Sequence, residues 1–334
     1  MRLRSTGPDR VAARLALPLA AVLAVAGCGA GTALAGVHDA PAQVTTDAPL
    51  SPGSAQHIVE RVLSQADEAQ HASAAQAKGL RAKALTGSAL AVAGAADQLG
   101  DAAPAAAAPV TRSAEPKVLA ISRGTGWPRV IVAQTTSDDG TTALNLLLSP
   151  DARTPFRLAS SAAMHPGASV AALDSLTQGS PVVVGGGATD HHAILKEYAA
   201  SLAFPKPAPA KDVDGGDQFT SGVKANAVAQ ARAFGKLASL TQVHEVKPDQ
   251  TIAVGLRGGG ALVFALLERT DTITLAKAGK SLTPSAEFQR LVGKKTLTRN
   301  AQLKSYETVV LTVPAQAKAT VVAAGEVLFS AKGA

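Results

Sequence analysis

From Ser54 onward the sequence runs twice through one order of parts: segments of helical period, then runs of strand composition separated by turn signals. That order constrains the fold more than anything else in the chain. Helices grouped ahead of antiparallel strands give an α+β architecture, whereas strict alternation of the two would give a parallel sheet. In the first half Ser54 is the expected helix N-cap, and Ile58, Val59, Val62, Leu63 and Ala66 form an apolar stripe of helical period. Helical composition continues past the weak points Gly79 and Gly87 to about Leu99. An Ala/Pro loop from Asp101 to Pro116 then leads into strand-like runs at Lys117–Ile121, Arg129–Thr136 and Thr141–Leu148. Ser137-Asp138-Asp139-Gly140 reads as the hairpin turn between the last two. Pro155–Ser160 and Pro181–Val184 follow as further strands before Gly185-Gly186-Gly187 breaks the chain.

The second half opens with Thr189 or Asp190 capping a helix that carries Ile194, Leu195, Tyr198 and Leu202. A loop from Pro205 to Gly216 leads to a helix through Val223, Ala227, Ala231, Phe234 and Leu237. Strands are expected at Thr251–Leu256, Ala261–Glu268 and Thr272–Ala276, then at Tyr306–Val313 and Thr320–Phe329, with Arg257-Gly258-Gly259-Gly260 as a turn. Repetition of the order argues for duplication, so residues 54–184 and 188–334 are expected to form two tandem α+β units. In that register Val130–Thr136 matches Ile252–Leu256, and Thr141–Leu148 matches Ala261–Glu268.

The N-terminus reads as an export signal. Arg2, Arg4, Arg10 and Arg14 against Asp9 make a positive segment, and Leu15 to Ala26 is an uncharged apolar run. That run is too short to span the roughly 30 Å of a bilayer core, and it suits a signal peptide. It ends in Val25-Ala26-Gly27-Cys28, which resembles the lipobox of bacterial lipoproteins and implies a lipid-bearing cysteine; Cys28 is also the only cysteine, so it has no disulfide partner. Residues 1–27 are therefore expected to be removed. Residues 28–53 would supply a lipid-bearing Cys28 followed by a flexible Gly/Ala/Thr/Pro tether. Two acyl chains anchor stably where one binds only reversibly, at about 0.8 kcal/mol per buried CH₂. The expected location is the outer face of the cytoplasmic membrane.

Composition excludes several functions. Aromatics make up only 3% of the chain, too few ring faces for a carbohydrate-stacking site, an aromatic cage or a single-stranded nucleic-acid platform. The net charge of +7 shrinks to +4 once four Arg and one Asp leave with the signal segment, and no nucleic-acid partner is expected outside the cell.

In a lipobox such as Val25-Ala26-Gly27-Cys28 resembles, the cysteine takes a diacylglyceryl group. Together with the duplicated layout, Gly126-Trp127-Pro128-Arg129-Val130 and Pro155-Phe156-Arg157-Leu158 resemble a family of actinobacterial lipoproteins for which no activity is established. Each half is also similar to a nuclear-transport-factor-2-like (NTF2-like) or cystatin-like unit, which implies a curved sheet wrapped around helices as a cone. The resemblance implies no catalytic residues, and a ligand cavity in such cones is an analogy of fold only.

Short motifs do not assemble into chemistry. Gly279-Lys280-Ser281 ends like a phosphate loop, but Thr274 stands where its first glycine belongs. Arg129 replaces the third glycine of a dinucleotide fingerprint begun by Gly124 and Gly126. Ser221-Gly222-Val223-Lys224 matches the Ser-x-x-Lys of penicillin-binding enzymes without the companion motifs Ser-Asp-Asn and Lys-Thr-Gly. Gly167-Ala168-Ser169-Val170-Ala171 fails a nucleophile elbow at its last position. Asp212, Asp214 and Asp217 put a carboxylate where a calcium loop needs its glycine, and Val223 where it needs Glu. His191 and His192, adjacent on a helix, diverge by about 100° and suit no common metal. No metal, cofactor or enzymatic activity is expected.

Lys277, Lys280, Arg290, Lys294, Lys295, Arg299 and Lys304 stand against Glu287 alone in one stretch. Such runs are solvated faces in most proteins. Here Lys294, Lys295 and Arg299 are the residues expected to meet anionic lipid or acidic wall polymer, at about 1 kcal/mol per basic residue near the surface. The sequence thus points to a non-catalytic binding or assembly module of the cell envelope. The alternative is a carrier holding an apolar or amphiphilic small molecule in a cone cavity, and an enzyme with an unrecognised site ranks below both.

Overall fold

A computed structural model describes residues 46–104, 115–184, 190–276 and 281–333. Helix α1 (Pro52–His71) starts one residue after Ser51, whose Oγ accepts a hydrogen bond from the Ser54 N–H at 3.1 Å. The cap therefore lies three residues before the expected Ser54, because Pro52 is preset for the first helical position, where its missing N–H costs nothing. Helices α2 (Ala74–Ala84) and α3 (Gly87–Leu99) follow; one interruption falls at the expected weak point Gly87, whereas Gly79 lies inside α2 and the other break comes earlier, at Ala72 and Ser73. Four antiparallel strands come next in sequence order: β1 (Lys117–Ile121), β2 (Arg129–Thr136), β3 (Thr142–Ser149) and β4 (Arg157–Ala163).

The rest builds a larger sheet. Its elements are β5 (Val182–Val184), α4 (Asp190–Ser201), β6 (Val213–Asp214), α5 (Gln218–Phe234), β7 (Ala238–Val246), β8 (Ile252–Gly255), β9 (Gly260–Leu275), α6 (Ala286–Val292), β10 (Ala301–Pro314) and β11 (Ala319–Gly333). The sheet order is β5-β8-β9-β10-β11-β6, with β7 also on β9, and every pairing but the parallel β11–β6 is antiparallel. Gly260 opens β9 at φ +83°, and a Cβ there would collide with the Val313 carbonyl oxygen, so the long β9–β10 ladder needs glycine at that point.

Side-chain parity divides the molecule into layers. Ile131, Ala133 and Leu147 face α1 and α3, while Val130, Val132, Leu144 and Leu146 face the second sheet. There they meet Leu262, Phe264, Val310 and Val322. The opposite face of the second sheet, with Val263, Ala265, Leu267, Val309 and Leu311, packs on α4 and α5. The strands are buried on both faces, which is why their sequences read as continuous apolar runs. The architecture is thus α+β, with two antiparallel-rich sheets face to face and helices on their outer sides. All of this belongs to one compact unit, Thr45–Ala334.

Several details differ from the sequence reading. Strands β6 and β7 and helix α6 were not expected. β9 runs unbroken through Arg269-Thr270-Asp271, where two separate strands were expected. Val182–Val184, assigned to the first half, pairs with β8 of the second sheet. The last residues expected as tether belong to the fold: the Ala48 N–H donates to the Thr177 carbonyl at 3.1 Å, and Ala48 and Leu50 pack against the α1 core.

Candidate functional site

The odd-numbered positions of β9 and β10 point toward the outer helices, apolar at both ends and ionic in the middle. Arg269 sits opposite His244 of β7 and Ser305 of β10, and Glu307 sits opposite Glu326 of β11. Arg269 Nη1 donates to Glu307 Oε1 at 3.1 Å and to Glu326 Oε2 at 2.5 Å, and its Nε lies 3.2 Å from Asp271 Oδ2. His244 Nδ1 is 2.7 Å from Glu307 Oε2, and Gln242 Nε2 donates to Asp271 Oδ1 at 2.8 Å. The His244 and Glu307 side chains are fully buried, at 0% exposure, whereas Glu326 keeps 42%. Burial alone would lower the Arg269 guanidinium, but Glu307, Glu326 and Asp271 outweigh it and hold it above its ordinary range.

This band floors a pocket of about 510 Å³. Arg269, Asp271, Ser305 and Glu326 line its floor, and Phe234, Ile273, Phe288, Leu297, Leu303 and Val327 its walls. A cap spanning residues 281–299 closes one side. Its two ends are joined by reciprocal backbone bonds between Leu282 and Leu297, at 3.0 and 2.8 Å. Within it, Ser285 Oγ caps α6 by accepting from the Phe288 N–H at 3.3 Å, and Gly293 ends the helix in the left-handed region at φ +73°. Phe288 drops from α6 into the core below, and Glu287 stands at the pocket wall.

A second, more open depression of about 660 Å³ lies between α4 and β7, lined by His192, Lys196, Lys206 and Val243. His192 is therefore a wall residue there. Among the described residues, no group of three or more His, Cys, Asp or Glu is placed to hold a metal ion. The aspartates of the calcium-like run serve the backbone: Asp217 caps α5 by accepting from the Thr220 N–H at 2.8 Å, and Asp214 accepts from the Gly216 N–H at 3.0 Å. Asp217 also lies 3.5 Å from His165 Nε2, where burial lowers the imidazole's affinity for a proton and Asp217 partly offsets it. Ser221 is exposed in the first turn of α5, with Lys224 one turn further on.

Lys294, Lys295 and Arg299 are exposed on the cap, between α6 and β10. Lys304 is not part of that surface, since it pairs with Glu268 at 2.6 Å beside Lys247. Lys277 and Lys280, like Val25, Ala26, Gly27 and Cys28, lie outside the described residues. Among the described residues no helix is long and apolar enough to cross a membrane, which says nothing of spans built from strands. In the motif around Trp127, the Arg129 guanidinium lies 4.5 Å over the half-exposed indole.

The ionic band was not anticipated from sequence. Its buried members occupy inward positions of strands, where apolar residues were sought, and only strand continuity across Arg269 to Asp271 would have brought them together. Compared with protein families, curated proteins and solved structures, the chain matches none.

Proposed function

We propose that this protein is a non-catalytic binding module of the bacterial cell envelope, and that its folded part holds an amphiphilic small molecule in the pocket beneath the 281–299 cap. A diacylglyceryl group on Cys28 holds it at the outer face of the cytoplasmic membrane. The single observation that carries the binding role is the pocket's two-sided chemistry, with apolar walls from α5, α6 and β10 over a charged floor. Its volume falls in the range of small-molecule sites, about 300–1,000 Å³. The space between the two sheets is filled by side chains, so the ligand site lies on the helix side. Arg269 and Glu307 spend their hydrogen bonds within the band, which suits a fixed floor better than proton transfer. Exposed Lys294, Lys295 and Arg299 make the cap the part that meets anionic lipid or acidic wall polymer.

We also infer that the two halves descend from one duplicated NTF2-like or cystatin-like unit. The support is that α1 and the start of α3 lie on the outer face of the first sheet and α4 and α5 on that of the second, although the end of α3 packs on β11.

The binding role is tested with the uncharged fluorophore Nile red. Added to full-length Cys28→Ala protein, Nile red should brighten on binding. Thr283→Trp, which fills the mouth from an exposed wall position, should abolish the gain at unchanged thermal stability. No gain with the parent, or an undiminished gain with Thr283→Trp, rejects the pocket. Anchoring has its own readout, since Cys28→Ala protein should leave the membrane fraction, and retention through detergent-free washing rejects Cys28 as the anchor.

A further inference from the structure

We infer that the pocket selects an amphiphile with a cationic head, an alkylammonium or alkylguanidinium group, over one with an anionic head. The inference rests on the pocket reading above and adds the class of headgroup. Among the described residues, the ionisable side chains lining the cavity are Arg269, Asp271, Glu287 and Glu326. One cation faces three carboxylates, and a fourth, Glu307, lies directly behind Arg269 at 3.1 Å. The single guanidinium is shared among Glu307, Glu326 and Asp271, so it neutralises none of them fully. Glu326 is the one of these that keeps 42% exposure, and it lines the cavity. Glu287 comes from the opposite wall, on the first turn of α6, so negative charge borders the cavity from both the floor and the cap.

The walls exclude water from one side of these groups, and a charge in such surroundings is felt more strongly than in bulk solvent. At a given separation a unit pair interacts about fourfold more strongly at an effective dielectric of about 20 than in water. An alkylammonium satisfies both halves of the cavity. Its chain covers Phe234, Ile273 and Leu303, and its three N–H donors meet carboxylate oxygens that already lack a full complement of cations. A carboxylate or sulfate head would meet Arg269 as the one cation among the described lining residues and would displace carboxylates already bonded to it.

Isothermal titration of full-length Cys28→Ala protein with decylammonium and with decanoate, both below their micelle concentrations, tests this. Decylammonium should bind at least tenfold more tightly, and the ratio should shrink as salt is raised from 0.05 to 0.5 M. Glu326→Gln and, separately, Glu287→Gln should each reduce the preference severalfold, with neutral decanol titrated alongside as the uncharged reference. Two positions on opposite walls keep the test valid if either variant folds poorly. Equal affinity for the two heads, or preference for decanoate, overturns the headgroup assignment while leaving the pocket in place. Failure of all three probes to bind overturns the pocket itself and this inference with it.

Discussion

Arg269 holds together groups that would otherwise be costly to bury. Glu307 is fully enclosed, and its two oxygens are taken by Arg269 and by His244. Replacing Arg269 by Met keeps an unbranched stem and removes the guanidinium and its charge, which leaves Glu307 and Asp271 without their cation. Removing one partner of a buried pair costs about 3–5 kcal/mol, because the remaining charge stays out of water uncompensated. Arg269→Met should therefore lower the free energy of unfolding in urea by that amount at neutral pH. The double variant Arg269→Met/Glu307→Leu should recover much of it. A loss under 1 kcal/mol for the single variant would show that the band is hydrated and contributes little. The same residues explain what a sequence can conceal. Gln242 and His244 occupy inward positions of β7, so the strand carries no apolar alternation after Leu240, and Arg269 and Asp271 split β9 into two apparent strands. Local sequence preference fails where polar groups have been built into a strand interior, and such places are expected at functional sites.

At the level of elements, apolar period and turn chemistry carry most of the information. β1, β2 and β3 lie within a residue of their expected bounds, because both faces of each strand are buried and the turn after Thr136 is marked by Asp139 and Gly140. The Asp139 carboxylate accepts from the Thr141 N–H at 2.9 Å, and Gly140 takes φ +82°. The cap was hidden for the opposite reason. It holds one seven-residue helix between Ser285 and Gly293, too short for a periodic signal, and its cations dominate the reading of that stretch. Those cations are also its testable property. Replacing Lys294, Lys295 and Arg299 with Glu should abolish binding of Cys28→Ala protein to vesicles containing anionic lipid, and should change nothing on neutral vesicles. Binding by the parent should fall steeply with salt, as the Debye length shrinks from about 10 Å at 0.1 M to about 3 Å at 1 M. Salt-independent binding, or none, makes the cap ordinary solvated surface.

At the level of the whole molecule, the two sheets share one interior. Val130, Val132, Leu144 and Leu146 of the first sheet meet Leu262, Phe264 and Val310 of the second. β5, at the end of the first half, is hydrogen-bonded to β8 of the second from Val182 to Val184. Sequence order does not show this docking, since a face buried by its own half and one buried by the other read alike. A break at Gly186 would expose both inter-sheet faces and leave β5 unpaired. Each Val, Leu or Phe returned to water forfeits about 1.5–3 kcal/mol, and half a dozen together reach the roughly 5–15 kcal/mol of an ordinary domain's stability. Residues 28–186 and 187–334 expressed separately should therefore lack cooperative unfolding, and mixing them should restore a one-to-one complex that melts in a single transition. The intact chain should likewise unfold in one step by both far-ultraviolet dichroism and Trp127 fluorescence. Two resolved transitions, or a half that is soluble, monomeric and cooperative alone, would mean that the interface between the sheets is an accessory contact between domains that fold independently.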